Sequence, residues 1–152
     1  MEKGKPKVQL LLEAVFNDAI ENHSKAASGQ LISALCVQLD MEAGEVQVYD
    51  EHETLLAKNI IFEWAEQYAK NPRLYKQAVH FIRVALSALK SRKIFDSPQF
   101  EFPFRVAITD DNFHEIETVF TIEGAETFTE GGRLMKNLDQ ELYFFSKKIF
   151  GN

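Results

Sequence analysis

The sequence predicts an α+β domain, one globular unit over residues 1–152 in which about four helices pack on an antiparallel sheet of four to five strands. Three observations predict it. Apolar residues recur at three- and four-residue spacing in some stretches and at two-residue spacing in others. The two kinds of stretch come in alternating runs, and the β runs are joined by turns too short for parallel crossovers, which leaves a meander and a hairpin. With 45% hydrophobic residues and 13 phenylalanines, the chain can bury a core without disulfides.

The first helix runs from about Val8 to Glu21, where Val8, Leu11, Leu12, Val15, Ala19 and Ile20 form an apolar face and Glu13, Asp18 and Glu21 fall elsewhere. The lysine-rich tip before it, residues 1–7, is expected to be frayed, and "NHSKAASGQ" ends the helix. From Gln30 to Asp40 the period changes to two, which fits a strand covered on both faces. "MEAGE" supplies a turn, "VQVY" a second strand, "DEHE" a polar turn and "TLLA" a third strand, completing a meander over residues 30–57. Asn59 then caps a helix carrying Ile60, Ile61, Trp64, Ala65 and Tyr68, which Pro72 brings to an end. Residues 73–93 form the next helix.

Beyond residue 95, "FEFPFRVAI" places Phe100, Phe102, Phe104, Val106 and Ile108 on one face. "FHEIETVFTI" does the same with Ile116, Phe120 and Ile122, so the two pair as a hairpin. Pro103 cannot donate to a ladder bond and requires an edge position or a bulge. A last helix carries Leu134, Met135, Leu138, Leu142, Phe145 and Ile149 as a stripe.

Several functions are excluded or demoted by what the residues lack. No stretch reaches the roughly 20 apolar residues of a membrane span, and Glu13, Asn17 and Asp18 interrupt the only candidate signal segment, so a cytoplasmic protein without a membrane partner is expected. Cys36 is the single cysteine and sits mid-strand among apolar neighbours, reading as a small buried hydrophobe. Nucleotide and nucleophile-elbow motifs are absent, and "EGG" at residues 130–132 is a helix-start loop lacking the phosphate-loop spacing. No cofactor is implied.

Two acidic turns offer the only metal or acid–base candidates. "DEHE" brings His52 and Glu53 together, and "DDNFHE" does the same for Asp111 and His114; imidazole and carboxylates are metal ligands, but neither turn has a recognised ligand spacing. A small enzyme or metal-dependent protein would need the two hairpins to converge.

The sharper feature is electrostatic. The stretch "RLYKQAVHFIRVALSALKSRK", residues 73–93, holds six Lys or Arg and no acid, in a chain of formal net charge −6. On a helix Arg73, Lys76, His80, Arg83, Ser87 and Lys90 stack along one stripe opposite Leu74, Ala78, Phe81, Ile82, Ala85, Leu86 and Leu89. An ordinary exposed helix mixes acids among its bases. This stripe is therefore expected to meet an acidic protein surface or a second copy of the chain, as a homodimer, in a non-catalytic interaction or regulatory module. Phosphate or nucleic-acid binding is disfavoured by a pI near 5.2.

Overall fold

The computed structural model describes residues 5–26 and 29–124, and the chain divides after Ile122, so the elements below are those of the first unit. Helix α1 spans Lys7–Ala26. Strands β1 (Ile32–Asp40), β2 (Glu45–Asp50) and β3 (Leu55–Ile60) follow as the expected meander. Helices α2 (Phe62–Gln67) and α3 (Leu74–Ser91) and a 3-10 turn at Ile94–Asp96 lead to the hairpin of β4 (Phe100–Thr109) and β5 (Glu115–Ile122). The α+β class stands, with three helices and one five-stranded sheet among the described residues. The expected fourth helix, Leu134 to Ile149, lies outside them, as does the "EGG" loop.

The sheet is mixed rather than antiparallel, in the order β3-β2-β1-β4-β5. Its β1–β4 pair is parallel, with Leu35 opposite Val106 and Val37 opposite Ile108. The reason is a crossover that the short turns do not reveal. A three-stranded meander ends running the same way as it began, and the long α2–α3 connection returns the chain to its starting end. β4 therefore enters beside β1 in the same direction.

Both long helices lie on one face of the sheet, where Leu12, Phe16, Leu35, Val37, Val48, Ile82, Leu86, Phe104 and Val106 form the fully buried centre. Helix α1 runs further than expected because His23, only 4% exposed, continues its buried face beyond Ile20. The helix after β3 starts later than its apolar spacing predicts. Ile61 still donates to the Gly44 carbonyl at 2.7 Å, which keeps the backbone in the ladder, and α2 is left with six residues around the buried Trp64. That close approach requires glycine: Gly44 has φ +74°, and a Cβ there would lie 2.5 Å from the Ile61 oxygen.

Irregularities in the hairpin explain which phenylalanines enter the core. Between Ile32 and Ala34 of β1, the partner on β4 moves from Phe100 to Arg105, so residues around Pro103 bulge from an interior strand. Phe102 is consequently 39% exposed while Phe100 and Phe104 are buried. On β5 the register slips twice, leaving Val119 and Ile116 as extra residues; Val119 turns inward and Ile116 outward. Strict alternation would instead keep Ile116 with Phe120.

Candidate functional site: the basic face of α3

Helix α3 forms because one side is continuously apolar. Leu74, Ala78, Val79, Ile82, Ala85, Leu86 and Leu89 are buried, so the opposite side must face outward. Arg73, Lys76, His80, Arg83, Ser87 and Lys90 are all exposed. The helix ends at Ser91, two residues before Lys93 takes a left-handed φ of 63°, and its last-turn cation Lys90 complements the macrodipole.

Two of the six cations are used inside the fold. Arg92 places Nη1 3.2 Å from Glu13 Oε1, joining the end of α3 to α1. The same buried carboxylate accepts from Lys5 at 2.9 Å and from Gln9 at 2.8 Å. Burial alone pushes the Glu13 carboxyl up, but the hydrogen bonds from Lys5, Gln9 and Arg92 outweigh it and hold the group below its ordinary value. Lys5, part of the tip expected to fray, is thus tied to α1.

Arg83 is the second. Its Nε donates to the Val119 carbonyl at 3.4 Å and its Nη2 lies 3.8 Å from Glu117 Oε1. Glu117 also accepts from the Tyr75 hydroxyl at 2.9 Å. Burial and the adjacent carboxylate push the Tyr75 phenol up to about 12. Arg83 therefore holds β5 against α3, although half of its side chain stays exposed. Lys76 and Lys90, one helical heptad to either side, have no carboxylate within ion-pair distance among the described residues, and neither has Arg73. The His80 ring lies edge-to-face with that of Phe81, centroids 5.5 Å apart.

The two acidic turns have one and the same geometry. In the first, the Asp50 carboxylate accepts from His52 N at 2.8 Å and Thr54 N at 3.0 Å, while Glu53 N donates to the Asp50 carbonyl with Glu53 at φ 68°. In the second, Asp110 accepts from Asn112 N at 2.8 Å and His114 N at 2.9 Å, with Phe113 at φ 65° donating to the Asp110 carbonyl. Each is a three-residue hairpin loop whose aspartate satisfies the loop amides. Those backbone bonds hold the Asp110 carboxyl below its ordinary value. Asp50 and Asp110 thus follow from turn formation.

The backbones of the two loops leave the sheet at different ends of β1. Glu51, at the first loop, bonds Ser33 near the start of β1, whereas β4 enters the second loop one step past the Val37–Ile108 pair. Ser33 and Gln38 are five residues apart, about 17 Å along a strand, and the loops leave from opposite ends. Glu53 and Asp111 are exposed. Among the described residues no three His, Cys, Asp or Glu side chains gather as a metal site. Cys36 is half-buried on the sheet face away from the helices, and desolvation pushes its thiol up.

The charge pattern located the stripe; Glu13 as a partner had no sequence signal beyond being an acid four residues from Gln9 on an apolar helix. No family model, curated protein or solved structure matches the chain. No described helix is long and apolar enough to cross a membrane.

Proposed function

We propose that the chain is a non-catalytic interaction module that docks an acidic protein surface on the exposed face of α3. The observation that carries this reading is that three cations of the stripe meet no carboxylate among the described residues. Lys76, Lys90 and Arg73 are exposed without a carboxylate partner among the described residues. Arg83 adds a half-exposed charge between them.

Single surface ion pairs contribute only about 0–1 kcal/mol each, so one lysine does not make a binding site. A row of cations acts together on encounter rate and orientation, and that is the role assigned to this one.

The test uses the full chain with poly-L-glutamate as the acidic probe. Binding is expected for the wild type, weakening as salt rises from about 0.1 M to about 1 M and the screening length falls from about 10 Å to about 3 Å. The Lys76→Glu/Lys90→Glu variant should lose it. Equal binding by variant and wild type would remove the stripe from the reading.

A further inference from the structure

Resting on that reading, we infer that the partner presents an amphipathic α-helix with carboxylates on every seventh residue, laid along α3. Lys76, Arg83 and Lys90 are seven residues apart on a straight run of helix, so their Cα atoms repeat every ~10.5 Å with a drift of only ~20° per repeat. A complementary surface has to offer negative charge at that interval and on one side.

An extended strand does not. Residues that share a face of a strand are two or four apart, about 6.7 or 13.4 Å, and the residue near 10 Å points the opposite way. The edges of the sheet also discourage strand addition. At β3, Ile60 N is taken by the Asn59 side chain at 2.8 Å, the Leu56 carbonyl accepts from Asn22 at 2.7 Å, and Lys58 pairs with Glu45 while keeping 59% of its side chain exposed. At β5, Arg83 occupies the Val119 carbonyl.

A second copy fits no better among the described helices. Outside the core their acids come as pairs three residues apart, Asp18 with Glu21 on α1 and Glu63 with Glu66 on α2. Such pairs span about 4.5 Å and reach one cation at a time. A separate helix with acids in heptad register meets all three cations.

Val84, half-buried and apolar, stands about 100° around the helix from Arg83, beyond His80 and Ser87, and is the apolar residue that a helix laid along the stripe at the shallow crossing angle typical of bundles can reach.

Two peptides of identical composition, each three heptads long, separate these ideas. One carries Glu at every seventh position beside a leucine row; the other distributes the same glutamates around the helix. Binding to the full chain is followed by amide chemical shifts of α3. The heptad peptide should bind about fivefold more tightly, since it aligns three ion pairs where the scrambled one aligns one. Lys76→Glu/Lys90→Glu should abolish the difference, with Lys76→Gln/Lys90→Gln intermediate and both variants retaining wild-type helical content. Equal affinity for the two peptides, or no binding of either, would overturn the helical partner. The poly-glutamate experiment reads the docking surface separately, so it can succeed when the peptide comparison fails.

Discussion

Arg92 Nη1 and Glu13 Oε1 lie 3.2 Å apart, and through them the end of the basic helix is fastened to α1. The carboxylate is buried while Arg92 and Lys5 keep 51% and 41% of their side chains exposed. Its energetics therefore fall between a surface pair and a fully buried one.

Glu13→Ala should destabilise the fold by about 2 kcal/mol, because the amide of the buried Gln9 and two cations lose their acceptor together. The pH dependence has a definite sign. The folded-state value of Glu13 is depressed below the unfolded one, so its contribution is fully present above the unfolded carboxylate range and disappears as pH falls through the folded value. Urea titrations should give a large difference between wild type and variant at neutral pH and a small one in strong acid. A penalty independent of pH would mean that packing, and not the ion cluster, is what the substitution removes.

How far the sequence reaches is visible in this same region. Periodicity located α1, α3 and all five strands, because one-sided burial imposes its period on any amphipathic element. It did not locate Glu13 as the partner of Arg92, since 79 residues separate them and the pairing follows from how α1 crosses α3. The direction of β4 escaped for a related reason: alternation describes a strand's two faces and carries no information about its neighbour. Ile116 departs from the alternating pattern because each bulge inserts one residue and reverses the alternation beyond it. The acidic turns were legible as turns, and Asp50 and Asp110 are spent on the loop amides.

The twin loops give a controlled comparison. Glu53 and Phe113 both occupy the left-handed region in the same hydrogen-bonded frame, which costs a non-glycine residue roughly 1 kcal/mol. Glu53 is exposed and bonds only through its backbone in that loop, so Glu53→Gly should stabilise by about 0.5–1 kcal/mol. Phe113 additionally sets its ring edge-on to Tyr49 with centroids 4.9 Å apart, reaching across the sheet face above β1. Ala107 and Thr109 are only 4% exposed on that face. Phe113→Gly relieves the same backbone cost but forfeits the ring contact and its covered area, and should be net destabilising by about 1–2 kcal/mol. Thermal or urea unfolding of the two variants checks this; shifts in the same direction would mean that Phe113 contributes nothing beyond its backbone.

The cations of α3 divide into those that hold the fold and those that face outward, and stability measurements can separate the two. Lys76 and Lys90 have no carboxylate partner among the described residues, so Lys76→Glu/Lys90→Glu should change unfolding free energy by no more than about 0.5 kcal/mol. It can even gain slightly, since an acid at position 76 stands four residues before His80 and seven before Arg83 on a cationic face. Arg83→Glu is different. It removes the donor from the Val119 carbonyl and sets a second carboxylate beside Glu117, which the Tyr75 hydroxyl already occupies. That change should cost about 1–2 kcal/mol, and Arg83→Gln about half as much, because glutamine keeps a donor and adds no repulsion. If all three proteins unfold at the same urea concentration, Arg83 is a free surface charge like its neighbours and the α3–β5 contact rests on Tyr75 and the core alone.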